Sequence, residues 1–162
     1  MKPSSPVPSE SNSLRCELAT EVLQTSGKLT LQVTGWSMLP TIFPGDTLIV
    51  EQCSAASTRE GDIVLVSRDA RLFVHRLLEK TCESDSSSIR TRGDAMSTID
   101  PPVKEQQLLG RISAIERNGK RMTPTRSLQG LHRVVAALVR RSDFAGRVVI
   151  GIHNVRQSVS VN

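Results

Sequence analysis

Aromatic residues are scarce in this chain. One Trp, three Phe and no Tyr occur among 162 residues, 2% in all. A core must therefore be built from Val, Leu, Ile and Ala. Cysteine is scarce too: Cys16, Cys53 and Cys82 are an odd number, and no two sit at CxxC spacing. That excludes a disulfide scaffold and a zinc knuckle, and it fits reduced thiols in a cytoplasmic protein. Long apolar runs are missing. The longest, Val134 to Val139, spans 6 residues, against about 20 for a membrane-crossing helix. The first twelve residues are rich in Ser and Pro and carry no apolar segment of the kind that directs export.

Charge of one sign is not strongly in excess. Lys plus Arg number 21 and Asp plus Glu 16, a net charge of +5. Without a basic stripe interleaved with aromatics, no nucleic-acid module is recognisable, and no nucleic-acid partner is expected. At 162 residues the chain has room for one domain of ordinary size.

Residues 1–12 read as a disordered leader. A short amphipathic helix is predicted over Ser13 to Thr25. Leu14, Leu18 and Val22 form its apolar stripe, with Ala19 and Leu23 alongside. Ser13 is its candidate cap and Gly27 its terminator. From Leu29 the apolar period becomes two, as a half-buried strand requires. Further strands are predicted at Thr47 to Glu51, Ile63 to Ser67, Leu72 to Glu79, Ile89 to Arg92 and Leu108 to Arg117. Turns at Pro44-Gly45-Asp46, Glu60-Gly61-Asp62, Arg68 to Arg71 and Asn118-Gly119 separate or follow them, and Cys82 to Ser88 reads as a polar loop. Beyond Pro124 the period is helical again: Leu128, Leu131, Val134, Val135, Leu138 and Val139 make one stripe. Val148 to Val155 is a last strand or a trailing segment. The expectation is a mainly β (α+β) domain over 13–123, with a helical extension over 124–162.

Three segments carry candidate chemistry. In Gly35-Trp36-Ser37-Met38-Leu39-Pro40 a glycine permits a sharp turn at a strand end and a serine follows. Met38 to Pro40 suit the first turn of a short helix. Its dipole would lie behind the Ser37 N–H, a geometry that suits an oxyanion donor. In Val74-His75-Arg76-Leu77 an imidazole lies within an apolar strand, and Arg76 should point to the opposite face. Neutral imidazole can take a proton from a serine hydroxyl. In Arg92-Gly93-Asp94 through Asp100-Pro101 two carboxylates flank a loop at a strand end. Either could orient the imidazole.

Together these blocks resemble the S26 signal peptidases and the related S24 self-cleaving repressor-type proteases, which share one β-rich catalytic fold. The resemblance rests on Gly35 to Pro40 with Pro44-Gly45-Asp46; on Gly61-Asp62-Ile63-Val64 leading to Val74 to Leu77; and on Thr91 to Asp94 through Asp100-Pro101, followed by Leu108 to Ile112. It covers about residues 29–116.

The resemblance implies roles. Ser37 is the nucleophile. His75 stands where bacterial housekeeping members have lysine, as in the endoplasmic-reticulum, archaeal and sporulating-bacterium type. Asp94 and Asp100 match that type's aspartates, and Asp100 is favoured as the group beside the imidazole. Gly35 occupies a position where some members carry a serine hydroxyl for the oxyanion, so main-chain donors such as the Ser37 N–H are expected. Met38 and Pro40 are expected at the substrate cleft, which would hold an extended peptide by strand addition. No cofactor or metal is implied.

The implied function is a serine endopeptidase cleaving a leader or signal segment from a precursor. The alternatives are a self-cleaving S24-type regulator, for which only 36 residues precede Ser37, and a catalytically silent scaffold. Unlike signal peptidases, the sequence shows no membrane span. Only the basic amphipathic stretch 128–141 offers a peripheral membrane contact.

Overall fold

A computed structural model describes residues 10–83 and 86–127. They fold as one N-terminal helix, α1 (Glu10–Ser26), and an antiparallel sheet. The strands are β1 (Lys28–Gln32), β2 (Thr47–Gln52), β3 (Ile63–Arg68), β4 (Arg71–Glu83), β5 (Ser86–Arg92), β6 (Val103–Lys104), β7 (Leu108–Arg117) and β8 (Lys120–Met122). Their spatial order is β1-β2-β7-β3-β4-β5-β6, and β8 pairs with β7. The mainly β architecture is the one expected from the alternating apolar residues.

Strand β7 holds the sheet together. It pairs with β2 along Gly110 to Glu116 and with β3 along Leu108 to Arg111, and register shifts mark both ladders. Such bulges bend a strand and increase its twist. Leu48 and Val50 of β2, Ile63 and Leu65 of β3, and Ile112 and Ile115 of β7 meet in one buried cluster. Val64 and Val66, on the other face of β3, join Leu77 and Ile89 in a second cluster. Strand β3 therefore reads as an apolar run because both its faces are covered.

Tight turns fall where the sequence signals them. Asn118 and Gly119 both have positive φ, +51° and +71°, and link Arg117 to its partner Lys120. Asp69 and Ala70 do the same between Arg68 and Arg71, with φ of 50° and 54°. Primed turns of this kind match the twist of the flanking strands.

Four local expectations need correction. Helix α1 begins at Glu10, and Ser13 lies inside it, donating to Glu17 at 3.1 Å. Its buried face is Cys16, Ala19 and Leu23, whereas Leu14, Leu18 and Val22 are 55%, 50% and 40% exposed. Small side chains at Cys16 and Ala19 let the helix approach the sheet closely, and Leu23 enters the first cluster. The helix does end at Gly27, which takes φ +71° and donates to the Leu23 carbonyl at 2.9 Å. Strand β1 stops at Gln32 because Val33 turns to bond the carbonyl of Asp46 and the N–H of Gly45. The segment 82–88 is ladder and not loop: β4 and β5 pair as far as Glu83 and Ser86, since main-chain pairing is indifferent to polar side chains. The expected extension 128–141 and the segment 148–155 lie outside the described residues, as does most of the expected leader. No helix among the described residues is long and apolar enough to cross a membrane.

Candidate active site

The nucleophile candidate sits in a compact turn between β1 and β2. Leu39 bonds back to the Trp36 carbonyl at 3.1 Å, and Thr41 and Ile42 to the Met38 carbonyl at 2.9 and 3.0 Å. The segment is a series of turns, not the short helix expected. Pro40 has no N–H to donate, and the Leu39–Pro40 peptide is cis. Any polarisation of the Ser37 N–H thus comes from local amides and not from a helix behind it. That N–H has no hydrogen-bond partner among the described residues.

Gly35 also differs from expectation. Its φ is not left-handed, and a Cβ added there would meet nothing within 4 Å. The turn does not need its conformational freedom; the residue leaves open space beside Ser37.

His75 lies on β4 and is buried. Its Nε2 is 3.0 Å from Ser37 Oγ. Its Nδ1 is 2.6 Å from Asp100 Oδ2. The same carboxylate oxygen accepts from Thr91 Oγ1 at 2.7 Å. The Asp100 N–H bonds the Thr91 carbonyl at 2.9 Å, which folds the loop after β5 back onto its own strand. Thr91 is 1% exposed. Its side chain stands out by no motif of its own; in the sequence it is marked only by its place just before Gly93-Asp94.

Asp94 is not beside the imidazole. It takes a bidentate pair of hydrogen bonds from Arg76, Nε to Oδ1 and Nη2 to Oδ2, both at 2.8 Å. Thr41 Oγ1 donates to the same carboxylate at 2.5 Å. Arg76 also holds the carbonyls of Gly61 and Thr125 through Nη1, each at 2.8 Å. Adjacent strand residues point to opposite faces, so a single loop supplies one aspartate to each side of β4. Arg117 grips Asp46 through Nε and Nη2 at 2.8 and 2.6 Å, and the carbonyl of Thr41 in the Ser37 turn at 3.1 Å.

The loop after β5 also touches the Ser37 main chain directly. The Ala95 N–H bonds the Ser37 carbonyl at 2.9 Å. Gly93 packs so closely that an added Cβ would lie 2.5 Å from the Ser37 oxygen. Here glycine is required by contact, not by φ.

A family model described as Peptidase S24-like matches residues 5–113. The chain belongs to the Peptidase S24-like family. No curated protein matches it. The matched region contains Ser37, His75, Asp94 and Asp100, together with α1 and every strand up to the middle of β7.

In this Peptidase S24-like chain a groove of about 440 Å³ opens beside Ser37 and His75. Met38, Leu31, Val33, Leu65, Leu72 and Val74 give it an apolar lining. Pro40 is buried and does not line it, which corrects the expectation for that residue. Asn12, Arg15 and Cys16 of α1 form another part of the wall. Strand β1 pairs on one side only, with β2. Residues 71–75 of β4 pair with β3, while β5 pairs from Arg76 onward. Both segments thus present unpaired main chain among the described residues.

The electrostatics favour an ionised Asp100. Burial pushes its carboxyl up. Hydrogen bonds from His75 and Thr91, and the nearby His75 and Arg68 charges, outweigh that and hold it below the ordinary carboxylate range. An ionised Asp100 accepts from Nδ1–H, and in the neutral form of the ring that leaves the Nε2 lone pair facing Ser37. No group of His, Cys, Asp and Glu able to hold a metal occurs among the described residues.

Proposed function

We propose that this chain is a serine endopeptidase of the Ser-His type, with Ser37 as nucleophile, His75 as general base and Asp100 as the group that positions the imidazole. One observation carries the reading: the continuous run Ser37 Oγ, His75 Nε2, His75 Nδ1, Asp100 Oδ2, with separations of 3.0 and 2.6 Å. A serine and a base within hydrogen-bond reach, with the base held by a third group, is the arrangement nucleophilic acyl transfer needs.

In the proposed reaction Ser37 Oγ attacks the scissile carbonyl as its proton passes to His75 Nε2. The oxyanion is stabilised by main-chain donors that include the Ser37 N–H. The C–N bond then breaks, and the amine leaves with the proton from Nε2. Water, deprotonated by the same nitrogen, attacks the ester and releases the new carboxyl end, restoring Ser37. Asp94 has no part in these proton transfers; its role is to anchor the loop. The unpaired edges of β1 and β4 suit an extended peptide that adds as a strand between them.

Within the superfamily we read the chain as signal-peptidase-like, acting on a leader or signal segment of a precursor, because histidine occupies the base position and the resemblance to the S26 blocks is ordered. The match to the S24-like model favours a second reading, a self-cleaving regulator. The two separate when pure protein is incubated alone: intramolecular fragments that persist on dilution support self-cleavage.

A serine-directed acylating probe tests the enzyme itself. Wild type should be labelled at Ser37, Ser37→Ala should not, and His75→Ala should react far more slowly. Equal labelling of all three would overturn the proposal.

A further inference from the structure

The groove beside Ser37 carries charge of one sign. Arg15 of α1 and Arg71 at the start of β4 both line it, and none of the described residues lining it is Asp or Glu. Both arginines are exposed. Neither forms an ion pair among the described residues. The carboxylates closest in sequence have other partners. Glu17 accepts from Ser13 at 3.1 Å, and Asp69 lies 3.8 Å from Arg68. The remainder of the lining is mainly apolar or uncharged, with Asn12, Gln32, Thr34, Ser37 and His75 as its other polar side chains.

We infer that Arg15 and Arg71 select substrates with an acidic side chain in the segment bound along this groove. The inference rests on reading the groove as a peptide site. Arg71 is four residues before His75 on the same strand. At about 3.3 Å per residue, that places it roughly 13 Å along the groove from the reacting atoms. The carboxylate it would meet therefore belongs to a residue some three to five positions from the scissile bond. Guanidinium pairs with carboxylate through two parallel N–H donors, and an arginine free of a protein carboxylate is available for this. The apolar floor between the arginines and Ser37 takes the aliphatic side chains closer to the cut. Each pairing is solvent-exposed, so the preference should be about twofold to fivefold and should shrink as salt is added.

Binding and cleavage are read separately. Ser37→Ala is titrated by calorimetry with extended decapeptides that carry an alanine at the centre and differ only in one other residue, Asp, Asn or Lys, moved along the sequence. The Asp peptide should bind best at positions about four residues from the central alanine. Arg15→Glu and Arg71→Glu, each combined with Ser37→Ala, should reverse the order toward Lys. The same peptides are then offered to wild type for cleavage, and probe labelling of Ser37 is measured in parallel. Binding indifferent to charge, or a preference unchanged in both reversal variants, overturns the inference even if wild type cleaves peptides. A charge preference in binding with no probe labelling and no cleavage upholds the inference while removing the peptidase reading.

Discussion

His75 and Arg76 are neighbours on β4, and each holds a different aspartate of the same loop. His75 takes Asp100 at 2.6 Å on one face, and Arg76 takes Asp94 at 2.8 Å on the other. One pair orders the imidazole and the second fastens the loop that carries its partner. The two aspartates should therefore fail differently.

Asp100→Asn should leave the fold intact and lower kcat by about 10²–10⁴, because an amide in that place can favour the wrong imidazole tautomer. KM for a short peptide should change little. A loss confined to KM, with kcat preserved, would remove Asp100 from the positioning role.

Asp94→Asn should act through stability. Breaking a buried pair leaves the Arg76 guanidinium uncompensated, and the expected cost is about 3–5 kcal/mol. Urea unfolding followed by circular dichroism reads it as a lower midpoint at unchanged slope. Activity at temperatures where the variant is still folded should fall less than in Asp100→Asn.

Gly93→Ala tests the contact behind the nucleophile. The new methyl would crowd the Ser37 carbonyl at 2.5 Å and Met96 Cγ at 2.8 Å. Overpacking of this kind costs about 1–3 kcal/mol. A shift of Ser37 by around an ångström should slow acylation about 100-fold. Gly35→Ala is the control, since its methyl meets nothing within 4 Å. Equal acylation rates in Gly93→Ala and wild type would show that the loop does not set the serine's position.

Ala70→Gly should stabilise the chain. Ala70 has φ 54° in a two-residue hairpin turn, a region that disfavours L side chains. Relief of that strain exceeds the added freedom of glycine in the unfolded chain, for a net gain of about 0.5–1 kcal/mol. The urea midpoint should rise.

Acid should weaken the fold through Asp62 and Asp100. Burial raises both carboxyls. Arg126 and the Arg59 N–H outweigh this for Asp62, as His75 and Thr91 do for Asp100, so both stand below the ordinary range. Between the folded and unfolded values the unfolded chain binds more protons, so stability rises with pH there. The contribution is complete above about pH 4, the unfolded carboxylate value, and is lost as pH falls through the folded one. Thermal midpoints from pH 7 down to 2 should drop below pH 4 in wild type and less steeply in Asp62→Asn. Parallel curves would exclude Asp62 from the effect.

The sequence made the β framework legible because burial of one face writes alternation, as in β1, and burial of both writes a continuous apolar run, as in β3. Leu29 and Leu31 alternate with polar residues, and Asn118-Gly119 marks its turn directly. It misled at α1, where hydropathy ranks Leu14 and Leu18 above Cys16 and Ala19, but close approach to a sheet favours the smaller pair. It gave no sign of β6, which is two residues long and owes its existence to pairing with Ser88 and Ile89. The serine and histidine stood out because each interrupts an apolar context. Asp94 and Asp100 could not be assigned by spacing alone, since the 5 loop residues between them allow either to turn toward the imidazole. Alternation did place Arg76 on the face opposite His75, and the partner it finds there is Asp94.

Trp36 is the chain's only tryptophan, no tyrosine accompanies it, and it stands 41% exposed immediately before Ser37. Intrinsic fluorescence excited at the indole band therefore originates from the residue adjoining Ser37 and nowhere else. The protein thus carries a single optical reporter next to Ser37, and stopped-flow mixing of unlabelled material with a peptide tests whether an encounter there can be timed apart from any cleavage.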